Sequence, residues 1–217
     1  MSEFKIKITS ITKLTHDVFQ FTTTKPENYF FTPGQATELS LDQDGWRKEK
    51  RPFTFTSLPE DDHLEFSIKS YPNHDGVTEQ IAKLTPGDSF LIGEAWGAIT
   101  YQGTGTFIAG GAGITPFISI FKSLEQKGEV NGNRLIFSNK TKEDIILQEY
   151  WEQLLGENFI PVLTEGNGKQ IDQDFLEQQK LSKDERIYLC GPPAMVEDLK
   201  EACQALGLDA SNVVLEE

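Results

Sequence analysis

Hydrophobic and polar positions follow two different rhythms along this chain. Up to about residue 103, apolar and polar residues alternate in short runs: Phe4-Lys5-Ile6-Lys7-Ile8, Val18-Phe19-Gln20-Phe21-Thr22, Ala36-Thr37-Glu38-Leu39-Ser40-Leu41, Phe53-Thr54-Phe55-Thr56 and Leu64-Glu65-Phe66-Ser67-Ile68. A period of two turns alternate side chains to opposite faces, so each run predicts a half-buried strand, and the set predicts an antiparallel barrel or sandwich. One short helix interrupts it, with Thr78 as expected N-cap and Ile81 and Leu84 on one face, before Thr85-Pro86-Gly87-Asp88 turns the chain into the strand Ser89-Phe90-Leu91-Ile92.

After Gly103-Thr104-Gly105 the rhythm changes. Thr106-Phe107-Ile108-Ala109 is a short apolar run of the kind found in buried parallel strands, and Phe117, Ile120, Phe121 and Leu124 then recur at helical spacing until Gly128. Strands are predicted at Leu135-Ile136-Phe137, Phe159 to Leu163 and Arg186 to Leu189. Helices are predicted from Glu143 to Leu155, near Asp172 to Lys180, and from Ala194 to Leu206. This alternation predicts an open, doubly wound parallel sheet. The chain is therefore expected to hold a β domain over 1–103 and an α/β domain over 104–217.

Charge and cysteine content narrow the chemistry. Among 217 residues, 20 basic against 34 acidic give a formal −14, which argues against nucleic acid or an anionic membrane surface as a default partner. Cys190 and Cys203 are too few for a disulfide framework or a four-cysteine cluster, so any metal centre is expected on another protein. His16, His63 and His74 share no metal-ligand spacing, and no metal site is expected. The start, MSEFKIKITS, has no apolar run of signal-peptide length, so a soluble, cytoplasmic protein is expected.

The strongest local signal is Phe107-Ile108-Ala109-Gly110-Gly111-Ala112-Gly113-Ile114-Thr115-Pro116, an apolar strand followed by three glycines and an amphipathic helix. Thr115 is expected to cap that helix and Pro116 suits its first turn. Such a turn is either a tight strand-to-helix connection or a pyrophosphate seat where a β-carbon would clash. Its spacing is not G-x-G-x-x-G. A second turn, Cys190-Gly191-Pro192-Pro193-Ala194-Met195, ends another predicted strand. Ligands bind outside the carboxyl ends of strands in open sheets, so the two turns describe one crevice. Cys190 reads equally well as a small core residue, and Cys203, beside Leu199, Ala202 and Leu206, as packing. In the β half, Arg51-Pro52-Phe53-Thr54 offers a cation for a phosphate, a ring for a planar ligand and a hydroxyl, although a strand rich in β-formers reads almost the same. His74-Asp75-Gly76-Val77-Thr78 is a second possible anion seat.

In this order and spacing, these segments resemble the ferredoxin–NADP reductase superfamily over nearly the whole chain, Phe4 to Leu215. Arg51, Phe53 and Thr54 match its R-x-[YF]-[ST], Gly110 to Pro116 its G-G-x-G-[IV]-[TA]-P, and Cys190 to Met195 its C-G-P-x-x-M. The resemblance implies a Greek-key β-barrel holding flavin and an α/β domain holding NADH or NADPH. Arg51 would hold flavin phosphate, with Pro52 beside it, Phe53 would pack on the ring and Thr54 would bond near its reactive edge. The backbone of Ser67, Ile68, Lys69, Ser70 and Tyr71 and of Gly76, Val77 and Thr78 would seat phosphates, which favours FAD over FMN. The nucleotide would lie across Gly110, Gly111, Gly113, Ile114, Thr115 and Pro116 and across Cys190, Gly191, Pro192 and Met195, with Asn139 and Lys140 near its adenosine ribose. Thr54 and Cys190 are the catalytic candidates.

The match is incomplete at Gly93-Glu94-Ala95-Trp96-Gly97, where the family often has G-P-x-G. The chain closes on Leu215-Glu216-Glu217 where many members carry an aromatic residue over the flavin, so open nicotinamide access is expected unless Trp96 or another ring covers it. The implied activity is hydride transfer from NAD(P)H to FAD, then electron transfer to a separate carrier such as ferredoxin or flavodoxin. Service as the reductase of an oxygenase or dehydrogenase complex, or as a flavin-bearing redox sensor, are the alternatives. The run Asn139-Lys140-Thr141-Lys142-Glu143-Asp144-Ile145-Ile146-Leu147 looks like that of NADH-using cytochrome and nitrate reductases, whereas Lys140 and Lys142 could pair with a 2′-phosphate; NADH is favoured. Arg47, Lys48 and Lys50 are expected to be free near the flavin end, as a docking patch for an acidic carrier or as a solvated hairpin tip.

Overall fold

The computed structural model describes residues 3–71, 76–166, 168 and 170–215. Six strands, β1 (Phe4–Lys13), β2 (Val18–Thr24), β3 (Ala36–Leu41), β4 (Arg51–Thr54), β5 (His63–Lys69) and β6 (Ser89–Trp96), form one antiparallel sheet in the order β4-β3-β6-β1-β2-β5. A bridge between Phe55 and Phe66 joins its outer strands and closes the sheet into a barrel. The alternating residues Ile6, Ile8, Phe21, Leu39, Leu41, Leu64, Phe66, Phe90 and Ile92 meet inside, and Phe31 stacks on Phe55 at 4.3 Å. Helix α1 (Val77–Ile81) adds Val77 and Ile81 to this core; its N-cap is Gly76 and not Thr78, which sits in the first turn. His63 opens β5.

Five parallel strands follow, β7 (Gly105–Gly110), β8 (Arg134–Asn139), β9 (Phe159–Leu163), β10 (Arg186–Cys190) and β11 (Val213–Val214), in the order β11-β10-β7-β8-β9. Adjacent residues face opposite ways. Phe107, Ala109, Leu135, Phe137 and Tyr188 pack with α2 (Thr115–Lys127) and α3 (Gln148–Leu155), whereas Ile108, Ile136, Ile187 and Leu189 pack with α4 (Gln173–Gln178) and α5 (Pro193–Ala205). Burying both faces is why these strands read as unbroken apolar runs, and each buried Phe or Ile contributes about 1.5–3 kcal/mol. Two helix expectations are corrected. The stretch from Glu143 to Leu155 is a short 3-10 turn at Lys142–Asp144 and then α3, separated at Leu147, whose φ of 56° is left-handed. Thr115 does not cap α2: a 3-10 turn at Gly111–Ile114 already leads into it, and the Thr115 hydroxyl donates to the Ala112 carbonyl at 3.0 Å.

The two sheets share an interface. Val18 and Ile99, from the barrel half, lie in the same apolar cluster as α2 and Phe107. No helix among the described residues is long and apolar enough to cross a membrane.

Candidate active site

Two cavities lie along this interface. The larger, about 610 Å³, is floored by the strand ends of the parallel sheet. Gly110 ends β7 and Gly111, Ala112 and Gly113 follow it, Ser138 and Asn139 end β8 with Lys140 next, and Gly191, Pro192 and Met195 follow β10. Parallel strands all end on the same side, so three turns far apart in sequence converge there. The smaller cavity, about 190 Å³, is bounded by Pro52, Phe53 and Thr54 of β4, Ser67, Ile68 and Lys69 of β5, Thr78, and Ala112 and Thr115 from the glycine turn. Lys69, Tyr71 and Ala112 line both.

The three glycines of the turn have different physical roles. A β-carbon on Gly113 would collide with the Cys190 carbonyl oxygen and lie 2.5 Å from its carbon and 2.6 Å from Cα of Gly191; one on Gly110 would meet Met195 Sδ at 2.5 Å and Pro192 Cδ at 2.9 Å. These two let the turns after β7 and β10 touch each other, as the tight-connection reading of the glycines requires. Gly111, at φ +52° with nothing within 4 Å, holds a left-handed conformation beside open space.

Several expected site residues can offer only backbone. The side chains of Ile68 and Val77 lie in the barrel core, and Ile114 and Pro116 are buried beneath the turn. Ser70 is corrected further: its N–H already donates to the Asp17 carbonyl at 2.7 Å and is not free for a phosphate. Arg51 is exposed at the start of β4, where its guanidinium donates to the Lys50 carbonyl at 2.7 Å and lies 3.6 Å from Glu49. Phe53 and Thr54 are half-buried facing the small cavity, and Gly76 and Thr78 stand at the start of α1. The proposed anion seat's His74 and Asp75 lie outside the described residues. Cys190 is half-buried at the end of β10, while Cys203 is fully buried in α5, where burial pushes its thiol up to about 11.

Asn139 carries a signal no sequence pattern gives. It is 6% exposed, it lines the large cavity, and its side-chain nitrogen is a buried donor without a partner among the described residues. Such a donor is costly unless a ligand accepts from it, so the cavity fits a molecule with acceptor oxygens. Close by, Asp144 forms a capping box, accepting from the Thr141 N–H at 2.9 Å and hydroxyl at 3.0 Å. Burial alone would raise its carboxyl; those bonds, with the charges of His16 and Lys69, outweigh it and hold the group below its ordinary range. His16 stands 3.5 Å from both Asp17 and Asp144, and Lys69 pairs with Asp17 at 2.9 Å. A histidine judged alone by its spacing thus has two carboxylates beside it, one of them distant in sequence.

The expected cation patch is mostly neutralised. Arg47 is held by Asp42 at 2.7 Å and Asp44 at 2.5 Å, and Lys50 by Glu3 at 3.0 Å, so Arg47 and Lys50 are not free. Reading cations as a run overlooked acids that hairpin geometry brings beside them.

Comparison with known proteins gives a consistent picture. Residues 3–90 match the model of an FAD-binding domain and residues 107–201 that of an oxidoreductase NAD-binding domain. An NADH-cytochrome b5 reductase 1 of Pyricularia oryzae is 31% identical over 98% of this chain and 76% of its own length. The ferredoxin–NAD(P)(+) reductase component of a naphthalene 1,2-dioxygenase system of Pseudomonas putida is 27% identical, over 95% of this chain and 66% of its own. In fold, the chain is similar to a Neisseria gonorrhoeae ferredoxin NADP+ reductase with bound FAD and NADP, at a TM-score of 0.85 and 23% identity, covering 100% of this chain and 98% of that one.

Proposed function

The chain belongs to the ferredoxin–NADP reductase and cytochrome b5 reductase family as an FAD-dependent NAD(P)H oxidoreductase, and from that premise we propose that it oxidises NADH and passes the electrons to a separate protein carrier. The observation that carries the reading is the continuity of the two cavities through Lys69, Tyr71 and Ala112: a nucleotide across the strand ends can bring its ring against a flavin lying on Phe53 and Thr54. We take the flavin half as 1–103 and the nucleotide half as 104–217.

When bound, the flavin accepts hydride from the reduced nicotinamide and releases electrons one or two at a time to the acceptor. The chain's own residues supply orientation. Arg51 offers a forked cation to the flavin phosphates, Phe53 a face for the ring and Thr54 a hydroxyl at its edge. The backbone N–H groups at the start of the 3-10 turn would face the nucleotide phosphates, whereas α5 opens on Pro192 and Pro193, which have no N–H to offer. Asn139 would donate to an acceptor oxygen of the adenosine half, and Cys190 would stand at the end of β10, just before the turn that lines the large cavity. Asp144 stays ionised in the same cavity as Lys140; a fixed carboxylate favours ribose hydroxyls over a 2′-phosphate, which supports NADH. The carrier is of the kind served by relatives, a cytochrome b5, a ferredoxin or an oxygenase component.

The test is anaerobic mixing of the yellow protein with NADH or NADPH in a stopped-flow spectrometer. Flavin absorbance should bleach within seconds and kcat/KM should favour NADH. Failure of both nucleotides to bleach the flavin refutes the reading, and a tenfold preference for NADPH overturns the choice of NADH. A screen of cytochrome b5, ferredoxin and flavodoxin against ferricyanide then identifies the acceptor.

A further inference from the structure

Helix α2 starts at the cavity junction and carries a polar stripe on a helix otherwise built for the core. Thr115, Ser119 and Lys122 lie at i, i+4 and i+7, on one face. Thr115 lines the small cavity. Ser119, fully buried, accepts at Oγ from the N–H of Gly34 at 2.9 Å, in the barrel half. Lys122 donates to the Thr56 carbonyl and to Glu65 Oε1, both at 2.8 Å. The Lys122 and Glu65 side chains are 28% and 12% exposed, so the pair is poorly screened.

The far side of this pair leads back to the cavity. Thr56 Oγ1 donates to the same Glu65 oxygen at 2.9 Å and lies 3.4 Å from Ser67 Oγ, and Ser67 lines the small cavity between β4 and Lys69. Gly34 makes the close approach possible: its φ is +99°, and a β-carbon there would collide with the Ile99 carbonyl oxygen. Helix α2 is therefore tied to the barrel at Ser119 and Lys122, three residues or about 4.5 Å apart along its axis, and its N-terminal end continues directly from the glycine turn.

We propose that Lys122 is a positioning residue: by pinning α2 to Glu65 and Thr56, it fixes the glycine turn relative to the cavity wall at Thr54 and Ser67, and so sets how the nicotinamide meets the flavin. Lys122 touches neither cavity and acts through Glu65, Thr56 and the helix. The proposal rests on the cavities being the flavin and nucleotide seats. Because the phosphate-facing turns are unchanged by its loss, nucleotide affinity should hold while the hydride-transfer step slows.

The experiment compares Lys122→Met, Lys122→Arg and Lys122→Met/Glu65→Gln, each as the flavin-loaded protein. Lys122→Met should lower the limiting rate of flavin bleaching about tenfold, with the half-saturating NADH concentration changed less than about twofold, since misplacing a reacting ring by ~1 Å suffices for such a loss. Lys122→Arg should retain most of the rate. The double variant removes the unpaired carboxylate, so it should recover the thermal midpoint lost by Lys122→Met without recovering the rate. Hydrogen exchange at the Gly34 amide, which reports the helix-to-barrel contact whatever the activity, should quicken in Lys122→Met. A limiting rate within about twofold of wild type, or one restored together with stability in the double variant, overturns the proposal. Wild-type protein that no nucleotide bleaches would instead refute the functional reading, while unchanged Gly34 exchange would refute the clamp on its own.

Discussion

Adding one methyl group at Gly113 should separate the two turns that build the large cavity, the proposed nucleotide seat. A β-carbon there would stand 2.5 Å from the Cys190 carbonyl carbon and 2.6 Å from Cα of Gly191, against ordinary carbon contacts of about 3.5 Å. The opposing atoms are all backbone, so no side chain can rotate away, and the turns after β7 and β10 must part by about 1 Å. Overpacking of this kind costs about 1–3 kcal/mol, and in a chain of this size each kcal/mol lowers Tm by about 2–4 °C. A displacement of ~1 Å at the reacting ring costs up to about 100-fold in rate. Gly105 supplies the control. Its β-carbon would meet Arg186 at 2.8 Å on the carbonyl carbon and 2.9 Å on Cβ, between the same two strands but at the end away from the cavities. Urea denaturation followed by stopped-flow bleaching of the folded variants decides the matter. Gly113→Ala and Gly105→Ala should both lose stability, but only Gly113→Ala should lose bleaching rate and NADH affinity. If Gly113→Ala reacts at the wild-type rate, or Gly105→Ala slows it equally, contact between the turns does not set the site.

Arg51→Ala should purify largely colourless, with barrel strands intact, because among the described residues the exposed guanidinium holds the neighbouring Lys50 carbonyl and pairs with Glu49 at 3.6 Å; the flavin-to-protein absorbance ratio and circular dichroism check this. A thiol reagent should modify half-buried Cys190 in the native protein and leave Cys203 untouched until unfolding, and bound NADH should protect Cys190; mass spectrometry of labelled peptides reports both. With Cys203 raised to about 11 when folded, its thiol ionises first in the unfolded chain, so its contribution to stability declines as pH rises from about 9 toward that value; alkaline urea titrations of Cys203→Ala against wild type test the sign. Asp144 is held below its ordinary 3.8, so its contribution is full above about pH 4 and is lost as pH falls through the lower folded value; the stability gap between wild type and Asp144→Asn should close on acidification.

Much of the architecture was legible in short-range pattern. Ala36 to Leu41 and Phe159 to Leu163 form strands with the bounds their periodicity predicts, and the apolar run at Phe107 is a buried parallel strand, because period and composition report directly how many faces a segment buries. The two glycine turns were legible as strand-to-helix connections, and the resemblance added the expectation of a nucleotide seat there. Local signals were weaker at helix starts: Thr78 and Thr115 have the right chemistry for caps, but the backbone enters each helix earlier, at Gly76 and through the 3-10 turn at Gly111–Ile114. The rest depends on contacts that only the folded chain makes. Arg47 and Lys50 read as free cations until Asp42, Asp44 and Glu3 came beside them. Asn139 was expected by resemblance near the adenosine ribose, but that packing leaves its amide nitrogen buried without a partner among the described residues is not readable along the chain. Ser119 and Lys122 carry no signal of their own in the amphipathic helix after Pro116; only the packed barrel brings Gly34, Thr56 and Glu65 against them. Periodicity is set by each segment's own geometry and so can be read along the chain, whereas pairing, desolvation and the meeting of the two cavities at Lys69, Tyr71 and Ala112 exist only once the segments have packed.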